Sequence, residues 1–140
     1  NFELIPIGEG EVLKKGKDVA ILAVGNMVKF ASQAAKNLLD KNIDAEVVNM
    51  RFVKPLDAKL LDEIADKFDK IITIEENSIV GGFGSGVLEY FADKGYKNNV
   101  LRLGLPDSYV EHGTQDELYK MLKIDGDGIT ENVIKYLAKK

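Results

Sequence analysis

Four short apolar runs, each followed by a stretch of helical period, restrict this chain to very few folds. The runs are Val19–Val24, Ala45–Met50 with Val47 and Val48 at its centre, Lys70–Glu75 carrying Ile71, Ile72 and Ile74, and Val100–Leu105. Val19–Val24 holds no polar residue at all. A strand with one wet face alternates apolar and polar residues. A continuous apolar run needs cover on both faces, as strands of a parallel sheet do. The runs recur at intervals of about 20–30 residues with helical segments between them, which implies βαβ units and right-handed crossovers.

The helical segments are marked by their buried stripes and their caps. Gly25-Asn26 ends the first run; Asn26 is placed to cap a helix with Val28, Ala31, Ala35, Leu38 and Leu39 on its inner face. Pro55 closes the next connection, and Asp57 caps a helix carrying Leu60, Leu61, Ile64, Ala65 and Phe68. A glycine-rich turn leads to a helix with Val87, Leu88, Phe91 and Ala92 facing inward. Thr114-Gln115-Asp116-Glu117 is a capping box, with the Thr hydroxyl on the N3 amide and Glu117 reaching back. It starts a short helix with Leu118, Met121 and Leu122. A last helix carries Ile129, Val133 and Leu137, with Asp127 as its cap. Glu11–Lys14 reads as a short extra edge strand, antiparallel to the rest. The expected architecture is α/β in three layers: a mainly parallel five-stranded sheet with helices on both faces. Residues 1–10 read as a linker remnant and residues 11–140 as one domain. The chain opens at Asn1 rather than Met, and so reads as a piece of a longer polypeptide.

Composition excludes several classes of function. The 19 basic residues are scattered and the net charge is -4, so there is no basic stripe for a nucleic-acid backbone. No apolar run approaches the roughly 20 residues a membrane helix needs, and no leader pattern opens the chain. Cysteine is absent, and His112 is the only histidine. Disulfides and thiolate metal sites are therefore ruled out, and zinc has few ligands to draw on.

Five features could carry chemistry. Gly81-Gly82-Phe83-Gly84-Ser85-Gly86 sits at a strand-to-helix turn, where backbone amides can meet an anion. The dinucleotide fingerprint fails because Val87 stands at its last position, and no Walker lysine follows. The alternative is that the glycines permit close packing against another surface. Glu75 and Glu76 end a strand at its carboxyl edge, where ligands of open α/β sheets sit. As neighbours in a strand they point to opposite faces, so one can cap a helix or pair with a base while the other is solvated. His112, between Glu111 and Gly113, is either an acid/base group or a structural hydrogen-bonder. Asp125-Gly126-Asp127-Gly128 fails the calcium-loop pattern, with Thr130 where glycine belongs and Tyr136 where glutamate belongs, and reads as a turn before the last helix. Arg51 and Lys54 flank Phe52 at a strand exit, suited either to a phosphorylated substrate or to an ion pair with a neighbouring domain. No nucleophile, base and orienting partner come together, so no catalytic, cofactor-binding or metal residue is assigned.

Arg51-Phe52-Val53-Lys54-Pro55-Leu56-Asp57, Glu75-Glu76-Asn77 and Gly81-Gly82-Phe83-Gly84-Ser85 together resemble the C-terminal domain of the transketolase superfamily. Leu103-Gly104-Leu105-Pro106-Asp107, Glu111-His112-Gly113 and Ile5-Pro6-Ile7-Gly8 are similar, within that group, to the 1-deoxy-D-xylulose-5-phosphate synthases. The resemblance runs from about Pro6 to Leu137. It implies a cytoplasmic parent enzyme, a transferase that uses thiamine diphosphate and Mg²⁺. That enzyme condenses pyruvate with glyceraldehyde 3-phosphate and releases carbon dioxide. The product feeds isoprenoid, thiamine and pyridoxal synthesis. The resemblance also implies that the cofactor, its metal and the activating glutamate belong to two preceding domains, so this piece by itself is expected to be inactive. Its implied partners are those N-terminal and pyrimidine-binding domains and a second copy of the parent, with no nucleic acid or membrane. The expected interdomain or dimer contacts are Arg51, Phe52, Lys54, Gly81, Gly82, Phe83 and Gly84. Two other readings stay open: a free-standing small-molecule-binding α/β module, and a beta-subunit fragment of a 2-oxo acid dehydrogenase.

Overall fold

The structure, a computed structural model, describes residues 7–51, 53–78, 82–105 and 114–139. Five strands and five helices follow one another as β1 (Glu11–Lys14), β2 (Val19–Ala23), α1 (Met27–Leu39), β3 (Ala45–Asn49), α2 (Ala58–Lys67), β4 (Lys70–Ser78), α3 (Phe83–Lys94), β5 (Asn99–Leu105), α4 (Gln115–Met121) and α5 (Gly126–Ala138). The sheet order is β1-β3-β2-β4-β5. All neighbours are parallel except β1, which runs antiparallel to β3. The three-layer architecture and its antiparallel edge strand are therefore as the sequence indicates.

β2 is the middle strand, and all five of its residues are fully buried. Strand side chains alternate between faces, so each strand feeds two cores. Val19, Ile21, Ala23, Val47, Ile72 and Ile74 meet α1, α5 and Tyr119 of α4 on one face. Ala20, Leu22, Val48, Met50 and Ile71 meet α2 and α3 on the other. Leu60, Leu61 and Ile64 of α2 each contribute roughly 1.5–3 kcal/mol by leaving water.

Asp57 does more than cap α2. Its Oδ1 accepts the Leu60 N–H at 3.0 Å and its Oδ2 accepts the Gly10 N–H at 2.8 Å, tying the approach to β1 onto the helix start. Thr114 caps α4 through the Glu117 N–H, though no return bond from Glu117 occurs among the described residues. Asn26 stands at the N-cap of α1 but makes no side-chain cap bond, because its backbone is already helical.

Four details depart from the sequence reading. The cap of α5 is Asp125, not Asp127: its backbone is extended and its Oδ1 accepts the Gly128 N–H at 2.9 Å. Asp127 instead lies in the first turn, where its Oδ1 takes a bond from Asn37 Nδ2 of α1. Leu39, Ala92 and Met121 are exposed rather than inward, in the last turns of α1, α3 and α4. Leu88 is only half-buried. β4 also continues to Ser78, past Glu75, since Ser78 pairs with Leu105 after a register shift.

Candidate functional site

The carboxyl ends of β2, β3, β4 and β5 share one edge of the sheet. β2 and β4 are neighbours, yet β2 leads to α1 on one face and β4 to α3 on the other. This reversal of direction is where open α/β sheets form a crevice. Gly25 lies here at the exit of β2, with a left-handed φ of +62°. Glu75 and Glu76 lie here at the far part of β4.

The two glutamates point to opposite faces, and each holds a helix. Glu75 is 1% exposed. Its Oε1 accepts the Phe83 N–H and its Oε2 the Gly84 N–H, both at 2.7 Å, so the carboxylate closes the start of α3. Glu76 accepts the Tyr119 hydroxyl at 2.8 Å on the other face. Burial first, and then this bond, pushes the Tyr119 hydroxyl up to about 12. Phe30 packs edge-on against the Tyr119 ring at 5.6 Å.

The glycine-rich turn is packed tightly from below. A methyl at Gly84 would lie 2.6 Å from Thr73 Oγ1 and 3.0 Å from Arg102 Cγ. Thr73 is fully buried and its hydroxyl has no partner among the described residues. Arg102 Nη1 donates to Ser85 Oγ at 3.1 Å. Gly82 holds the N-cap position in an extended conformation and is half-buried. Phe83 is 1% exposed, its ring inside the α2–α3 core. The inward-facing Phe83 and Gly84 therefore shape this corner from within, while Gly82, Ser85 and Gly86 are half-buried.

The second corner lies beyond β3. Arg51 adopts a left-handed φ of 59°, its N–H donating to Asn49 Oδ1 at 3.0 Å. Its guanidinium pairs with Glu11 of β1 at 2.7 Å, an ion pair within this chain. Lys54 and Pro55 are exposed, Val53 is 38% exposed and Ile7 81%. Gly8 packs on the Pro55 ring. Phe52, Gly81, His112 and the Pro106–Gly113 stretch lie outside the described residues.

Thiamine diphosphate with Mg²⁺ does not suit the donors present. The amide pair at α3 is already taken by Glu75, and among the described residues no three His, Cys, Asp or Glu side chains converge to hold a metal. Asp125 is spent on capping α5, while Gly126 and Gly128 pack against Gln33 and the Lys123 backbone. Residues 8–129 match the family model for the transketolase C-terminal domain.

The chain belongs to the transketolase C-terminal domain family.

This transketolase C-terminal domain is similar to parts of longer curated proteins. It is 49% identical over 132 residues to 1-deoxy-D-xylulose-5-phosphate synthase of Aquifex aeolicus (strain VF5), covering 94% of this chain and 21% of that protein. It is 50% identical over 137 residues to 1-deoxy-D-xylulose-5-phosphate synthase 1 of Geobacter sulfurreducens (strain ATCC 51573 / DSM 12127 / PCA), covering 97% and 22%. The chain thus spans about a fifth of the length of the relatives it matches. A solved structure described as a split gene transketolase, inactive beta4 tetramer, superposes with a TM-score of 0.84 at 37% identity, over 94% of this chain and 42% of that one. Among the described residues no helix is long and apolar enough to cross a membrane.

Two interactions were not legible from sequence patterns. The Tyr119–Glu76 bond joins residues 43 apart. Asp62 accepts both the Tyr90 and the Tyr96 hydroxyls at 2.7 Å, joining α2 to α3 and its following loop. The Thr73 position had a readable signal: it lies two residues before Glu75, on the same face of the strand.

Proposed function

We propose that this domain is the assembly domain of a thiamine-diphosphate-dependent 1-deoxy-D-xylulose-5-phosphate synthase, and that it holds no reaction centre itself. The parent transferase condenses pyruvate with glyceraldehyde 3-phosphate, with release of carbon dioxide, in the cytoplasm. Thiamine diphosphate and Mg²⁺ are held by N-terminal and pyrimidine-binding domains outside this chain, and the parent is a homodimer. Residues 11–140 form the folded unit; the preceding connection ends near Gly10, where Asp57 holds it. Gly82, Arg51 and Lys54 belong to the surface that meets those domains; Phe52 and Gly81, expected contacts as well, lie outside the described residues. Phe83 and Gly84 support that surface from inside.

The observation that carries this reading is the Glu75 carboxylate across the Phe83 and Gly84 amides. The turn that most resembles a phosphate site is closed from within, which leaves contact with protein as its use. The pairing of Arg51 with Glu11 occupies that guanidinium within its own domain, which counts against both a phosphorylated substrate and an ion pair with a neighbouring domain at this residue.

Gly82→Val in the full-length enzyme tests the proposal. Sedimentation should show a weakened dimer, with turnover per assembled dimer retained. An intact dimer with lost turnover refutes it. A small-molecule module remains the rival on one observation: a cavity of about 330 Å³ lined by Lys29, Phe30, Gln33, Asp116, Tyr119 and Asp127. Calorimetry of the isolated chain with nucleotides and sugar phosphates separates the two, tight binding favouring the rival.

A further inference from the structure

Glu46 is a carboxylate in a place where its neighbours are apolar. It lies on β3 two residues before Val48, on the face of the sheet that meets α2, and is 4% exposed. A buried charge is costly unless it is paired and hydrogen-bonded. Its Oε1 accepts the Gly16 N–H at 3.2 Å and Lys67 Nζ at 2.7 Å. Its Oε2 has no partner among the described residues.

A cavity of about 150 Å³ lies against this carboxylate, between β1, β3 and α2. Val12, Leu60 and Ile64 give it apolar walls, while Lys15, Glu63 and Lys67 line it with charge. Cavities of about this size admit guests as large as benzene. Thr73 Oγ1 is the only sealed and unpartnered side-chain oxygen among the described residues, so Glu46 Oε2 is not sealed and opens on the cavity. A carboxylate oxygen only accepts, so its guest must donate, and a cationic donor bonds most strongly. Lys15 sets the opposite preference: it is exposed, and its ammonium has no hydrogen bond or ion pair among the described residues. The carboxylates of Glu46 and Glu63 balance the ammonium groups of Lys15 and Lys67, which favours a guest carrying both charges over an anion or a cation.

We propose that this cavity binds a small aliphatic α-amino acid, its ammonium on Glu46 Oε2, its carboxylate on Lys15 and its side chain against Val12, Leu60 and Ile64. The site uses none of the residues assigned to the docking surface, so it stands or falls separately from the assembly role.

L-Valine is the probe. Isovalerate is the same molecule without the ammonium, and isobutylammonium the same without the carboxylate. In the full 140-residue chain, millimolar L-valine should shift the amide resonances of Gly16, which donates to Glu46, and of Leu60 and Ile64, and the shifts should saturate. Each single-charge analogue should bind about tenfold more weakly, since it forfeits one charge-assisted contact. Glu46→Gln keeps an acceptor for the Gly16 N–H but loses the charge, and should weaken L-valine binding by about the same factor. Lys15→Gln covers the case in which that variant does not fold, because Lys15 is exposed and its side chain is bonded to nothing in the described residues. It should weaken L-valine severalfold and leave isobutylammonium binding unchanged. The proposal is overturned if L-valine gives no saturable shift at these amides, if either analogue binds as tightly as L-valine, or if Lys15→Gln or a folded Glu46→Gln binds L-valine as the wild type does.

Discussion

Replacing Gly84 by alanine sets local helix preference against tertiary packing. On propensity alone the change should stabilise, since glycine inside a helix is about 1 kcal/mol worse than alanine. The new methyl, however, would sit 2.6 Å from Thr73 Oγ1, 3.0 Å from Arg102 Cγ and 3.1 Å from Arg102 Cδ. The arginine stem can swing aside. Thr73 cannot, because it is fully buried on an interior strand paired on both sides. Overpacking of this kind costs about 1–3 kcal/mol, and so hard a contact belongs at the upper end. Subtracting the helix gain leaves a net loss of about 2 kcal/mol. Urea denaturation should show a lower midpoint at unchanged slope. Thr73→Ala removes the obstructing oxygen, so the double variant should recover most of the loss, with a coupling energy of about 1–2 kcal/mol. A Gly84→Ala protein as stable as the wild type, or a coupling near zero, refutes the packing argument.

Other residues give further tests. Thr73→Val replaces an unpartnered buried hydroxyl by a methyl of similar size and should raise stability by about 1 kcal/mol in the same denaturation assay. Asp57→Ala loses both the α2 cap and the Gly10 tether and should destabilise by about 2 kcal/mol, while Asp57→Asn should lose less. Bonding to Asp62, aided by burial, pushes Tyr90 from 10.0 up to about 12. Its stabilising contribution is complete below its ordinary value and disappears as pH rises through about 12. Absorbance titration of Asp62→Asn should show Tyr90 and Tyr96 ionising at lower pH than in the wild type; unchanged curves would mean the bonds do not form in solution.

The strands and their order of occurrence were legible because a doubly covered strand must be apolar throughout. Val19–Val24 could hardly be anything else. Asp57 and Thr114 were legible as caps because capping is local, decided by residues three apart. The Asp127 assignment failed within the same kind of rule. Two aspartates compete across Asp125–Gly128, and the structure gives the cap to Asp125, which accepts the Gly128 N–H three residues on. Leu39, Ala92 and Met121 continue an apolar pattern into the last turns of their helices, where the structure leaves them exposed. The opposite orientation of Glu75 and Glu76 followed from strand geometry, but not what either would meet.

Sequence alone determined the layered α/β architecture, the family and the presence of a glycine-rich turn at the carboxyl edge, because these depend on pattern and local chemistry. The tertiary structure decided what fills that turn. Glu75 reaches the amides of residues eight and nine positions later only once β4 and α3 are packed together. Tyr119 reaches Glu76 only once α4 lies over the opposite face. Those contacts join distant parts of the chain, and their existence depends on distances that no local preference specifies.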